Sequence, residues 1–209
     1  GVTLRTGETV ERFEGTDRVT SVVTASGDEL ACDFVVMAVG IRPNTSLAEE
    51  AGLEVEDGVV VDEYMRSSHP DIYAAGDVAR FYDPIFAKQR RVEHWGQADY
   101  AGELAGKNMA GAEEPYDMVT YAWSEIFDQH LEFVGDETEY DEVWLRGRPG
   151  KGPFTVLYLL DGALRAFFGV NTGTDEFGSL EALIRSGESL SEHRGTLEDP
   201  EADLDSLVP

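Results

Sequence analysis

The strongest constraint on the fold is a pair of apolar segments, residues 154–160 and 163–170, that are separated only by Asp161-Gly162. A two-residue Asp-Gly connection between strand-forming segments is typical of a tight β-hairpin. Two further strand-like segments, 131–135 and 142–146, precede the hairpin. The second half of the chain is therefore predicted to contain an antiparallel sheet.

The end of the chain adds helical elements to that sheet. A short helix is predicted over residues 179–186, and Gly187 provides its stop signal. The last residues, 196–209, are rich in acidic side chains and are predicted to form a mobile extension. Sheet and helices together predict a small α+β unit.

The first part of the chain has a different pattern. Residues 8–13 and 18–24 alternate between apolar and polar side chains, as strands do. Residues 34–39 are apolar without alternation, which is typical of a parallel strand covered on both faces. Gly40 follows this predicted buried strand.

Turn and capping signals follow the buried strand. Ser46 and Glu49 have the spacing of a capping box, so a short helix is predicted that ends at Gly52. Asp57-Gly58 then precedes Val59–Val61, which is a hairpin signal.

The segment SSHPDIYAAGDVA, residues 67–79, places an aspartate after a series of strand formers. Residues 72–75 are predicted to form a buried strand that ends at Gly76-Asp77. A carboxylate at the carboxyl end of such a strand is a common ligand contact in α/β folds. An ordinary tight turn would place one there too, so the pattern alone leaves both interpretations open.

A helix is predicted over residues 92–110, with Gly111 as its stop. One face carries small or apolar side chains: Ala98, Ala101, Ala105 and Met109. Small side chains on that face allow a neighbouring element to approach closely.

The charge of the chain restricts its partners. It has 42 acidic and 16 basic residues, for a net charge of -26. Nucleic acids and anionic membrane surfaces would repel such a protein and are not expected as partners. The acidic residues are spread along the chain, which favours a solvated surface adapted to high salt. The alternative is an acidic protein that docks a basic partner.

Other sequence features point to a cytoplasmic location and to a piece of a larger protein. Cys32 is the only cysteine, so no internal disulfide is expected. No apolar run approaches the ~18–20 residues of a membrane helix, and no calcium-binding loop of the D-x-[DN]-x-[DN]-G type occurs. The chain begins at Gly1 without a methionine, so we expect it to start within a longer sequence.

Four segments together resemble a known family. DFVVMAVGIRPNT, HPDIYAAGDVA, RVEHWGQADYAGELAGKNMAG and YAWSE occur in this order from residue 33 to residue 125. In type and order they are similar to the back half of the FAD-dependent pyridine nucleotide-disulfide oxidoreductases. The similarity is greatest to the branch of apoptosis-inducing factor and the ferredoxin and rubredoxin reductases.

The resemblance implies an α/β plus α+β fold: an incomplete FAD/NAD(P)-binding remnant, then a small C-terminal domain with an antiparallel sheet and helices. Residues 1–43 would end the NAD(P)H-binding insert. Residues 44–114 would form the C-terminal segment of the FAD-binding domain. Residues 115–209 would form the C-terminal domain with an acidic tail.

The resemblance also implies roles for the GD segment. Asp77 would accept a hydrogen bond from a ribityl hydroxyl of FAD, and Gly76 would let the backbone approach the cofactor. Val78 beside them, and Gly40 at the return to the FAD domain, are further candidate cofactor contacts.

Two aromatic segments are implied to surround the flavin ring. Glu93, His94 and Trp95 would face it at the start of a helix, where free N–H groups stabilise negative charge. Trp123 would cover the flavin from the C-terminal domain. Without the family context, His94 would be interpreted as a surface histidine and Trp123 as a core residue between two domains.

The implied parent protein is a flavin-dependent oxidoreductase that uses NAD(P)H and passes electrons to a ferredoxin- or rubredoxin-like protein or to oxygen. An acidic acceptor would need salt or a local patch of arginines such as Arg90, Arg91 and Arg146. The alternatives are the NADH oxidase and coenzyme A disulfide reductase branch, and a non-enzymatic dimerisation or docking module. A homodimer is a further expectation.

The chain departs from the family by lacking the dinucleotide fingerprint G-x-G-x-x-G. It is therefore expected to need the N-terminal half of the same protein, to bind FAD weakly or not at all by itself and to catalyse nothing alone. His193 has no matching acidic pattern, so the acid/base pair of disulfide exchange is unsupported.

Overall fold

The strands of the chain form three separate sheets of three, five and three strands. The computed structural model describes residues 1–209, except for the side chains of Thr174 and Asp175. Residues 1–42 and 43–209 form two compact units. The mixed α/β fold class predicted from the sequence is confirmed.

The unit of residues 1–42 contains an antiparallel sheet. Its strands lie in the order β1 (Val10–Glu14), β2 (Ser21–Thr24) and β3 (Glu29–Ala31). Gly15 closes the first turn with a φ of +133°, and a Cβ there would lie 1.9 Å from the carbonyl oxygen of Arg18. Only glycine fits this turn, so it fixes the β1–β2 pairing.

The predicted buried strand over residues 34–39 is wrong. Phe34, Val36 and Val39 are exposed by 76%, 80% and 88%, and the segment has no regular structure. An apolar segment needs a neighbouring strand to form a covered strand. Among the described residues, no strand pairs with this segment.

The unit of residues 43–209 begins with a short helix and a small mixed sheet. Helix α1 is Ser46–Glu50, and β4 (Val59–Val61), β5 (Ala79–Asp83) and β6 (Lys88–Arg90) follow. Strand β4 pairs parallel to β5, and β6 pairs antiparallel to it. The N-cap of α1 is Thr45, whose hydroxyl donates to Glu49 at 2.6 Å, so the predicted capping box at Ser46 is wrong.

The predicted strand over residues 72–75 is also wrong. Tyr73 makes a single bridge to Arg66, and a 3₁₀ turn over Gly76–Val78 separates this segment from β5. The ladder starts only at Ala79, because its partner strand begins at Val59. The aspartate therefore lies before the strand and not at its carboxyl end.

Helix α2, Trp95–Met109, confirms the predicted helix and its stop near Gly111. Its buried face is shifted from the predicted one, since Ala98 is only partly buried and Met109 is exposed by 66%. The buried positions are Gln97, Ala101, Leu104, Ala105 and Asn108. Of these, Ala101, Leu104 and Ala105 belong to a core with Val61, Met65 and Phe81.

The larger sheet is antiparallel, with the strand order β7-β8-β11-β10-β9. The strands are β7 (Tyr121–Ile126), β8 (Gln129–Gly135), β9 (Glu142–Gly147), β10 (Phe154–Leu160) and β11 (Ala163–Val170). Asp161 and Gly162 have φ values of +51° and +80°, as the predicted tight hairpin requires. Strand β7, at the sheet edge, was not predicted.

The final part of the chain is not a mobile extension, and that prediction is wrong. Helix α3 (Thr174–Ser186) and helix α4 (Arg194–Glu198) follow the sheet. Leu197 and Leu204 are buried in the same core as Leu157 and Leu183. Periodic leucines thus anchor a segment that its acidic composition had suggested to be free.

Candidate functional site

The turn over Gly76–Val78 brings a carboxylate next to helix α2. Gly76 has a φ of +74°, and a Cβ on it would lie 3.6 Å from the Cβ of Ala98. The turn therefore packs on the first turns of α2, while the Asp77 side chain stays exposed to solvent. An ionised carboxylate so placed can accept hydrogen bonds from a ligand.

Arg91 connects this turn with the segment before the helix. Its Nη1 donates to the carbonyl oxygen of Asp77 at 3.1 Å and to Oε1 of Glu93 at 2.7 Å. It also pairs with Asp57 at 3.3 Å. Burial opposes the charge on Arg91, but hydrogen bonds to Glu93 and Asp57 raise the pKa of the guanidinium.

Helix α2 begins without a side-chain cap. His94 occupies the N-cap position with a φ of −148°, and its carbonyl accepts from the N–H of Ala98. The first N–H groups of the helix therefore remain available to an anion or to a ring that gains negative charge. Trp95 is exposed by 81% beside them.

Two polar side chains near the helix start have buried atoms without hydrogen-bond partners. Nδ1 of His94 has no hydrogen-bond partner among the described residues, and neither do the two amide atoms of Gln97, which is fully buried. Such groups are uncommon in folded proteins and normally need a partner. A bound molecule or another part of the protein would satisfy them.

A cleft of about 640 Å³ opens beside Glu93 and His94. Ala122 and Phe133 line its opposite side. Its cations are paired with carboxylates, since Lys88 contacts Asp136 and Arg90 lies 3.3 Å from Asp83. The cleft is therefore close to neutral in spite of its many charged groups.

Asp136, which lines the cleft, and Asp83, which pairs with Arg90 of the cleft, differ in their titration. Burial raises the pKa of Asp83, and the attraction of Arg90 only partly opposes it. Burial also disfavours the charge on Asp136, but Lys88, Arg90 and Thr138 together lower the pKa of its carboxyl. Asp136 is thus the more firmly ionised of the two.

Trp123 lies on the edge strand β7 and is exposed by 59%. Its ring stacks on His130, with centroids 6.3 Å apart and planes at 24°. It lines a shallow cavity of about 170 Å³ that shares Ala122 and Phe133 with the larger cleft. The indole is thus close to the cleft without lining it.

The structure brings together the predicted residues of two separate sequence segments. Six of them lie around the start of α2: Gly76, Asp77, Val78, Glu93, His94 and Trp95. Trp123 borders the neighbouring cavity. Gly40 is exposed, has a φ of +83° and belongs to the unit of residues 1–42.

The contacts by which Arg91 connects the Gly76–Val78 turn with Glu93 were not predicted from the sequence. The sequence indicated Arg91 only as a possible member of a local patch of arginines. Arg90, Arg91 and Arg146 do not form the exposed patch that would help an acidic acceptor to dock. The three side chains are exposed by only 11%, 11% and 6%, and all of them pair with carboxylates. The R-x-E spacing before a helix start was the signal that could have revealed the Arg91–Glu93 pair.

The set of groups at the helix start suits a flavin nucleotide. It offers an exposed carboxylate as acceptor for a sugar-like hydroxyl, uncapped N–H groups, the indole of Trp95 and an orphaned imidazole nitrogen. No group of three or more His, Cys, Asp or Glu among the described residues could hold a metal ion. No helix in the described part of the chain is long and apolar enough to cross a membrane.

Comparisons with known proteins give two matching regions. Residues 1–102 match the family model described as pyridine nucleotide-disulphide oxidoreductase. Residues 121–208 match the model described as reductase C-terminal.

Curated relatives are ferredoxin reductases. The 5,5'-dehydrodivanillate O-demethylase ferredoxin reductase subunit of Sphingobium sp. is 36% identical over all of this chain and 50% of its own. Putidaredoxin reductase of Pseudomonas putida is 34% identical over 88% of this chain and 44% of its own. The chain spans about half the length of the curated relatives it matches.

Solved structures agree with these relatives. A ferredoxin reductase from Rhodopseudomonas palustris superposes with a TM-score of 0.86 at 29% identity, covering 97% of this chain and 50% of that one. The reductase in a covalent putidaredoxin reductase–putidaredoxin complex superposes with a TM-score of 0.85 at 31% identity, covering 98% and 49%.

Proposed function

Because the chain belongs to the pyridine nucleotide-disulfide oxidoreductase superfamily and carries its reductase C-terminal region, we propose that it is part of an FAD-dependent NAD(P)H reductase that serves a ferredoxin-like acceptor. The observation that carries the proposal is the convergence of the Gly76–Val78 turn and Glu93 on one guanidinium, Arg91. A docking module would have no need to hold the carboxylate of Glu93 beside an uncapped helix start.

The proposal assigns a role to each residue around the helix start. Asp77 accepts a hydrogen bond from a ribityl hydroxyl, and Gly76 and Val78 let the backbone lie close to the cofactor. Glu93, His94 and Trp95 face the flavin ring. Bound FAD supplies the chemistry, which is to take a hydride from the nicotinamide and release its electrons to the acceptor.

The other residues keep the site in shape. Arg91 holds the turn and Glu93 in a fixed relation, and the uncapped N–H groups of α2 favour negative charge near the ring. Trp123 covers the flavin and excludes water. Gly40 marks the return from the NAD(P)H-binding insert.

The proposal includes the division into residues 1–43, 44–114 and 115–209 and a first half of the protein that carries the dinucleotide fingerprint. The greater length of the relatives is consistent with such a half. A ferredoxin-like acceptor is inferred because the relatives are ferredoxin reductases, and an oxygen-reducing NADH oxidase is the alternative. A cytoplasmic location, adaptation to high salt and a homodimer remain predictions; the single cysteine and the charge of -26 suggest the first two.

The test is a chimaera in which the N-terminal half of the Sphingobium relative precedes this chain. We expect the purified chimaera to bind FAD. Addition of NADH or NADPH should reduce the bound flavin and bleach its visible absorbance. Asp77→Asn should weaken FAD binding about 10- to 100-fold, since a hydrogen bond to a charged group contributes about 1.5–3 kcal/mol. FAD affinity is measured by quenching of flavin fluorescence.

The control is Asp71→Asn, which removes the same charge from an exposed side chain in the same segment. It should leave FAD affinity unchanged. A folded chimaera that binds FAD equally well with Asp77→Asn would contradict the assigned role of this carboxylate. A folded chimaera that takes up no flavin would contradict the proposed function.

A further inference from the structure

We propose that His130 is a positioning residue for Trp123 and that its protonation determines how firmly the indole is held. The consequence for flavin binding rests on the proposed function. The link between the two side chains does not, because it depends only on contacts within the described part of the chain.

The register of the edge hairpin places the two rings on one face. Trp123 lies opposite Glu132, and Glu125 lies opposite His130, so these four side chains share a face of the β7–β8 pair. Diagonal neighbours on one face are within reach of aromatic side chains. The stacked geometry of Trp123 on His130 follows from this register.

Each ring nitrogen of His130 faces a carboxylate. Nε2 lies 3.1 Å from Oε1 of Glu132, and Nδ1 lies 4.0 Å from Oε1 of Glu125. A neutral imidazole carries one N–H and turns a lone pair toward the other carboxylate, whereas an imidazolium donates from both nitrogens. Protonation therefore adds a second N–H that faces a carboxylate.

The backbone of His130 is fixed by the loop after β11. The N–H of His130 donates to the side chain of Asn171 at 2.8 Å, and the N–H of Asn171 donates to the carbonyl of His130 at 2.9 Å. Thr172 donates to Glu132 at 3.0 Å. These loop groups are neutral, so among the described side chains the charges facing His130 come from Glu125 and Glu132.

Protonation of His130 should strengthen its contact with Trp123. The imidazolium faces a carboxylate from each ring nitrogen, which holds the ring that Trp123 stacks on in one orientation. When the ring is neutral, it has only one N–H, so one of the two carboxylate contacts is lost. The exposed indole then keeps only the stacking, and it becomes more mobile.

The test follows the indole N–H groups of the three tryptophans in isotope-labelled chain by NMR. Trp123→Phe assigns the relevant signal. Between about pH 5 and pH 8, where histidine changes charge, this signal should move and its order parameter should fall as pH rises. In His130→Gln the movement should disappear, and the order should be low at both ends of the range.

His130→Arg provides the stringent variant. Its planar guanidinium can contact both carboxylates and stack on the indole, and it remains charged throughout the range. The indole should therefore stay ordered without a pH transition. His193→Gln, which removes an exposed histidine outside the hairpin, should behave like the unmodified chain.

The proposal is overturned if the Trp123 signal titrates equally in His130→Gln, or if it shows no transition in the unmodified chain. Because these measurements need no flavin, they separate this proposal from the proposed function. A chimaera that binds no FAD would refute only the latter.

Discussion

Replacement of Arg146 by leucine tests how the end of the chain is held. The guanidinium is almost buried and donates to four backbone carbonyls of the last segment: those of Thr196, Asp199, Pro200 and Ala202. It also donates to Glu176 at 3.1 Å. One side chain thus satisfies several backbone carbonyls of the last segment. The described residues of that segment include no strand that could satisfy them.

The magnitude follows from the groups left without a donor. A backbone carbonyl that loses the hydrogen bond of a charged donor costs about 1–3 kcal/mol, and the cost is lower at Asp199 and Pro200, which are exposed residues. A cavity of about 270 Å³ beside the guanidinium allows water to reach some of them, which favours the lower end of that range. For four carbonyls we expect a loss of about 3–5 kcal/mol in the free energy of unfolding. Glu176 keeps its hydrogen bond from Thr155, so it adds little.

The assay is urea unfolding followed by circular dichroism, with hydrogen exchange of residues 194–205. Arg146→Leu should lower the unfolding midpoint by about 1.5–2.5 M, taking a slope of about 2 kcal/mol per molar urea, and the amides of this segment should lose protection. Arg148→Leu, which changes an exposed side chain two residues further on, is the matched control and should change neither. A loss below about 1 kcal/mol with unchanged exchange would refute this account of the segment.

Three further predictions concern charge and backbone. The pKa of Asp136 is lowered in the folded chain, so its pairing with Lys88 should stabilise the fold fully above about pH 4. This stabilisation should be lost as the pH falls further. Acid unfolding of Asp136→Asn should not show that loss. Gly135→Ala should destabilise the chain by at least about 2 kcal/mol in thermal unfolding, because its φ is +101° and a Cβ would lie 2.2 Å from the carbonyl oxygen of Arg165. Gly102 lies in the middle of α2, and no atom is near the position of a new Cβ. Gly102→Ala should therefore stabilise the chain by about 0.5–1 kcal/mol. A destabilisation would contradict the open space on that face of the helix.

Local patterns predicted individual elements of the fold. The Asp161-Gly162 hairpin and helix α2 were recognisable because their signals act between neighbouring residues. The buried face of α2 was misplaced, because Gln97 and Asn108 are buried polar residues that periodicity cannot identify. Asn108 is buried since its amide bonds to the backbone of Tyr64 and Glu114.

Long-range contacts explain the remaining errors. The status of residues 34–39 depends on a partner strand, and apolarity alone does not supply one. The last segment was judged by its acidic composition, yet its fate depends on Arg146, which lies 50 residues before Thr196 in the chain. At the candidate site, family resemblance identified Asp77 and Glu93, but the Arg91 connection between them is a matter of three-dimensional geometry.

The exposed segment of residues 34–39 has a consequence for colloidal behaviour. Six consecutive apolar residues with strong β-propensity and no charge are a template for intermolecular β-pairing. The net charge of -26 keeps copies of the chain apart at low ionic strength, and at about 1 M salt the Debye length shrinks to about 3 Å. The same salt that relieves repulsion within the acidic surface therefore removes the barrier between chains, so this chain should associate more readily as the salt concentration rises.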